Sequence, residues 1–148
     1  MRPKALCAAS VVAIAGAAFS LRVLAAPLSF DVPLSSAAEV PPEVSQANGV
    51  AKLTWDPATR VVTWEITATG LTGPATMAHF HRAPPGKNGS VTAWLSAQGD
   101  PAVFPIKGER TLTTEQADEF SGGQWYVNIH TRAHPAGEIR GQVQPPKK

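Results

Sequence analysis

The chain holds four histidines in two groups, His79-Phe80-His81 and His130-Thr131-Arg132-Ala133-His134. Neutral imidazole is a common ligand for copper, zinc, iron and nickel. On a β-strand, residues i and i+2 share a face and lie roughly 6.5–7 Å apart. His79 and His81 therefore share one face, and Ala78 and Phe80 point the other way. In the later segment Tyr126, Asn128 and His130 share a face, opposite Trp125, Val127 and Ile129. If the two strands are neighbours, His79, His81 and His130 meet on the side away from the core. His134, on the loop that follows, can approach them as a fourth ligand. Ligation by nitrogen alone, with no thiolate or obvious carboxylate nearby, makes copper the first choice and zinc the second. Met77 lies on the face of His79 and His81. A thioether there would favour Cu(I), although methionine is more often a packing residue. The competing reading makes the histidines polar-face residues bonded to backbone or water, in a network that Asn128 and Thr131 would suit. Separation decides between them: if the His81 and His130 nitrogens stand more than about 6 Å apart, they cannot share one ion.

Other chemistry is thin. Nothing resembles a nucleophile elbow, and Glu39, Glu43 and Glu138 lack a spacing suited to acid–base work. No catalytic residue is assigned, and enzymatic activity is not indicated. Glu138 and Arg140 alternate on the last strand, where a surface or cross-strand ion pair is expected. The stretch Pro84-Pro85-Gly86-Lys87-Asn88-Gly89 reads as a structural turn. Trp55, Trp64, Trp94 and Trp125 read mostly as core, with room for one of them to line a groove.

The elements that must position these residues are strands. Gly and Pro recur between short runs rich in Val, Ile, Thr and Trp, as in a sandwich or barrel. Strands are expected at 29–34, 50–55, 61–68, 76–81, 91–95, 109–112, 124–130 and 138–143. Asp56-Pro57-Ala58-Thr59 is a turn between the second and third, and Val62, Trp64 and Ile66 alternate with Thr63, Glu65 and Thr67. Thr113-Thr114-Glu115-Gln116 offers a capping residue with Gln three positions on, or Glu two on, for one short helix running to about Phe120 and stopped by Gly122-Gly123. The 40–44 stretch, with Pro41 and Pro42, is an extended loop. The fold class is all-β: an antiparallel, Greek-key-like β-sandwich or barrel of about eight strands with one short helix.

Residues 1–25 read as a cleavable secretory signal peptide. Arg2 and Lys4 precede an uncharged run, and Val23-Leu24-Ala25 offers small residues for cleavage after Ala25. The run falls short of the roughly 20 strongly apolar residues a membrane span needs. The mature domain, 26–148, is expected to be periplasmic or secreted. The whole chain carries a formal charge of +2. Without Arg2, Lys4 and Arg22 the balance is near neutral, so no nucleic-acid partner is indicated. The leader also takes Cys7, the one cysteine. The remainder, about 120 residues, is enough for one ordinary core.

The motifs together resemble the CHRD domain, named from chordin, an extracellular antagonist of bone morphogenetic proteins. Ala38-Glu39-Val40-Pro41-Pro42, Ala78-His79-Phe80-His81 and Gly86-Lys87-Asn88-Gly89 carry part of the resemblance. The specific blocks are Tyr126-Val127-Asn128-Ile129-His130-Thr131 and Gly137-Glu138-Ile139-Arg140-Gly141. The resemblance spans about residues 28–144 and implies a single-domain exported protein of bacterial type, without an assigned activity. It implies that His79, His81 and His130 belong to the family pattern, whereas the family often has Asn where this chain has His134. A fainter similarity, to copper–zinc superoxide dismutase, rests on a Greek-key sandwich with a His-x-His strand pair and later histidines. The zinc loop and disulfide of that enzyme have no obvious counterpart here. Three functions follow in order: a metal-binding exported domain, a module that binds another exported protein or a surface polymer, and a copper redox enzyme.

Overall fold

The computed structural model describes residues 26–147. The signal peptide expected at 1–25 lies outside the described residues. Eight strands run in the order β1 (Leu28–Ser35), β2 (Asn48–Asp56), β3 (Val61–Thr69), β4 (Ala75–Arg82), β5 (Ser90–Trp94), β6 (Ile106–Thr111), β7 (Trp125–Thr131) and β8 (Ile139–Gln142). One α-helix, α1 (Thr114–Ser121), joins β6 to β7, and a single 3₁₀ turn, Ser36–Ala38, follows β1. None of the described helices is long and apolar enough to cross a membrane.

All pairings are antiparallel, and the strands lie in the order β5-β4-β7-β8-β1-β2-β3-β6. The joint in the middle is narrow: β1 meets β8 at one residue pair, Ser35 with Arg140. The sheet is curled, so that residues of its two halves meet in one core. Trp64 of β3 stands edge-on to Phe80 of β4, ring centroids 5.9 Å apart. Its indole N–H donates to the Leu95 carbonyl, 3.2 Å away, so the polar end of a buried ring is satisfied. The chain crosses between halves after β3, after β5 and through α1, which is the Greek-key-like character expected of the sequence.

Local rules account for most elements. Asp56 accepts the Ala58 N–H and the Thr59 hydroxyl, which fixes the turn that sets the β2–β3 register. Val62, Trp64 and Ile66 are buried as the alternation requires. Thr113 and Gln116 exchange the two hydrogen bonds of a capping box. The helix stops at Gly122, and Gly123 turns the chain with φ 71°. Phe120 of α1 then inserts between Trp55 of β2 and Phe80 and Trp125 of β4 and β7. Burying such a ring contributes about 1.5–3 kcal/mol. β6 starts at Ile106, three residues before its expected position, because residues 106–108 pair with Ile66, Glu65 and Trp64 of β3.

The largest departure from expectation is β7. Its second face is polar and outside the hydrophobic core as expected, yet Tyr126, Asn128 and His130 on it are buried along with Trp125, Val127 and Ile129. Loops cover that face. Asn88 donates to the Val40 carbonyl, joining two of the covering loops, and Glu39 and Pro135 bond directly to residues of β7.

Gly108 sits opposite Trp64, and a Cβ there would lie 2.5 Å from the indole. Gly108→Ala is expected to push Trp64 from its slot and lower stability by about 1–3 kcal/mol. Urea unfolding followed by tryptophan fluorescence measures it; an unchanged midpoint would show that Gly108 does not confine Trp64.

Candidate metal centre

Cross-strand register brings the histidines together. On one face of the β4–β7 ladder, Met77 lies opposite His130, His79 opposite Asn128, and His81 opposite Tyr126. On the other flank, β5 puts Trp94 opposite His79, and a bulge beside Phe80 and His81 shifts the next pair to His81 and Val91. Bulges of this kind re-aim side chains next to functional sites. Ring centroids of His79 lie 5.5 Å from His81 and 5.0 Å from His130, and those of His81 and His130 are 5.8 Å apart. One ligand nitrogen from each ring falls within 4.8 Å of the other two. This is inside the separation that would exclude a shared ion.

Hydrogen bonds fix which nitrogens are free. His81 Nδ1 stands 3.0 Å from the Gly89 carbonyl, and His130 Nδ1 is 3.1 Å from the Pro135 carbonyl. A carbonyl only accepts, so each neutral ring carries its proton on Nδ1 and leaves Nε2 bare. His130 Nε2 lies 3.2 Å from His79 Nδ1. As an acceptor, it draws the His79 proton to Nδ1 as well. The Nε2 atoms of His79 and His81 are then buried acceptors with no hydrogen-bond partner. Leaving such a group unmade costs about 1–3 kcal/mol.

The surroundings keep the rings neutral. Burial, with smaller contributions from the neighbouring His130 and His81, pushes His79 down to about 4. Burial also lowers His81, against the Gly89 bond and with help from the Arg140 charge. His130 is lowered by burial, against its bond to Pro135 and with help from His81. Solvent reaches 3% of His79 and 5% of His130.

A packed shell holds the rings in place. Trp94 packs edge-on against His79 with centroids 4.3 Å apart. Tyr126 stacks on His81 at 4.8 Å with planes 8° apart, and the Arg140 guanidinium lies 3.4 Å above the far face of Tyr126. The Tyr126 hydroxyl accepts the Gly89 N–H. Gly89 is thus held by both members of the stack, and a Cβ at this position would overlap the Arg82 carbonyl. The 84–89 loop, expected to be only a turn, supplies the carbonyl that sets the His81 tautomer.

Two expectations change. His134 does not join the trio: its Nδ1 is 3.2 Å from a Glu43 carboxylate oxygen. The Thr131 hydroxyl and the N–H groups of Thr131 and Gly137 bond its backbone and turn the loop that way. Glu138 and Arg140 do not pair with each other, and both are buried. Glu138 accepts from Thr72 N–H, Thr72 Oγ1 and Thr131 Oγ1; burial raises its pKa, but these bonds outweigh that and lower it. Arg140 donates to the Lys87 carbonyl and to Asn88 Oδ1. Of the four tryptophans, Trp94 is the one that lines the site.

Residues 30–143 match the family model of the CHRD domain. The chain belongs to the CHRD domain family. Comparisons with curated proteins and with solved structures find no significant match.

The second buried carboxyl, Glu39, accepts from Asn128 Nδ2 at 2.6 Å. Burial raises it from 4.5 to about 7, against the Asn128 bond and the Arg140 charge. Its folded value exceeds its unfolded one, so its contribution to stability is complete below about pH 4.5 and is lost as pH rises through 7. His79 acts in reverse: its contribution is present above 6.5 and is lost as pH falls to about 4. Glu39→Gln removes the first effect alone. The variant should gain stability relative to wild type between pH 5 and pH 8 in urea unfolding of metal-free protein. A difference that is flat across that range would contradict the assignment.

Proposed function

We propose that this chain is an exported CHRD-domain protein that binds one transition-metal ion through His79, His81 and His130, with copper preferred to zinc. The observation that carries this reading is the pair of buried Nε2 atoms, on His79 and His81, to which no group of the protein hydrogen-bonds. A polar-face network would give them a partner. Metal bonds of about 2.0–2.1 Å hold three nitrogens about 3.5 Å apart, so ligand nitrogens now within 4.8 Å of one another close on an ion by shifts under about 1 Å. In closing, His130 gives up its bond to His79 and keeps the Pro135 bond that orients it. A backbone carbonyl on the far nitrogen of a ligating histidine is the usual supporting arrangement.

The export signal read at residues 1–25 is part of this proposal and places the protein in the periplasm or outside the cell. A dismutase-like reaction requires an open coordination position, and no observation favours one among the buried nitrogens.

Equilibrium dialysis against Cu(I) kept reduced under anaerobic conditions, with Cu(II) and Zn(II) in parallel and metal analysis of each, tests the proposal through whichever of the three ions binds. Wild type should hold one ion per chain. His79→Ala and His130→Ala should each lose it, while His134→Ala retains it. Absence of stoichiometric binding in folded wild type ends this reading in favour of an interaction module.

A further inference from the structure

We infer that the histidine trio is built for monovalent copper and discriminates against divalent ions, Zn(II) and Cu(II) included. This rests on the metal-binding reading above and specifies its cargo.

Charge is the first reason. The ligand nitrogens of His79 and His81 are buried, and the Born cost of transferring an ion from water rises with the square of its charge. A divalent ion therefore meets about four times the desolvation penalty of a monovalent one. Sites for divalent ions normally offset that penalty with carboxylates or thiolates. Among the described residues, the cluster of mutually close ligand atoms holds three neutral imidazoles and no anion. The two buried carboxylates nearby are committed elsewhere: Glu138 to Thr72 and Thr131, Glu39 to Asn128. The closest fixed charge in the packed shell has the wrong sign. Arg140, itself buried, lies on Tyr126, which lies on His81. One ring thus separates a guanidinium from a ligand ring.

Coordination number is the second reason. Zn(II) takes four ligands in tetrahedral geometry, and Cu(II) takes a tetragonal set of nitrogen and oxygen donors. Both complete their shell with water where the protein supplies only three donors. Here the ligand nitrogens of His79 and His81 are themselves buried, with Trp94 packed on His79 and Tyr126 stacked on His81, so little solvent reaches the point where a water would complete the shell. Monovalent copper, a filled-shell ion, is satisfied by two or three donors. The residue seated opposite His130 on this face is Met77, whose soft thioether suits Cu(I) and not Zn(II).

Competition titrations on the purified full-length protein test this. Cu(I) is titrated anaerobically against a chromophoric cuprous chelator, and Zn(II) and Cu(II) in parallel against chelators of known affinity. Cu(I) should bind at one per chain and at least about 100-fold more tightly than Zn(II) or Cu(II), given the charge penalty. X-ray absorption on the loaded protein should show a nitrogen shell of low coordination number and no water-completed four-coordinate shell. Zn(II) or Cu(II) binding as tightly as Cu(I), and lost in His79→Ala, would overturn the cuprous assignment and leave the metal site standing. If none of the three ions binds the folded protein, the metal reading itself fails.

Discussion

Both faces of β7 are buried, and everything else in the structure answers to that constraint. One face, Trp125, Val127 and Ile129, closes the hydrophobic core. The other carries Tyr126, Asn128 and His130 under a cover of loops. A strand of this kind tolerates no unpaired polar group without cost. Each polar side chain on it accordingly has a named partner: Asn128 has Glu39, His130 has Pro135 and His79, and Tyr126 has Gly89. The exceptions are on the neighbouring strand, at His79 and His81 Nε2. Those exceptions give the site its chemical meaning.

The covering loops are held by long-range polar contacts. Arg140 reaches the Lys87 carbonyl and Asn88, Asn88 reaches the Val40 carbonyl, and Glu138 gathers Thr72 and Thr131. Charged side chains are rarely buried this deeply unless fully engaged. The polar residues of the Gly137-Glu138-Ile139-Arg140-Gly141 block therefore act as fasteners for loops, and the loops act as the outer wall of the histidine cluster. Packing, tautomer control and metal affinity are one physical arrangement on this account.

Much of this was legible in the sequence because it depends on local periodicity. The shared face of His79, His81 and His130 follows from the two-residue repeat of a strand, and the Thr113–Gln116 cap from a four-residue pattern. The Asp56 turn is equally local. Features set by distant contacts were not legible. The partner of His134, Glu43, lies on a loop far earlier in the chain. Trp94 meets His79 because of a bulge in the β4–β5 ladder. Arg140 looked like half of a surface ion pair because alternation alone does not reveal that loops cover the outer face. The same blindness hid the role of the Gly89 carbonyl, a backbone group with no side chain to mark it.

Two backbone carbonyls hold His81 and His130 with the proton on Nδ1 and Nε2 bare, and the site depends on that tautomer. Two-bond proton–nitrogen NMR of the imidazoles reads this directly, before and after one equivalent of copper added anaerobically. The account predicts Nδ1-protonated rings at neutral pH for His79, His81 and His130, with their metal-induced shifts confined to one nitrogen per ring. Nε2-protonated His81 and His130 in the metal-free protein, with no response to the metal, would contradict it.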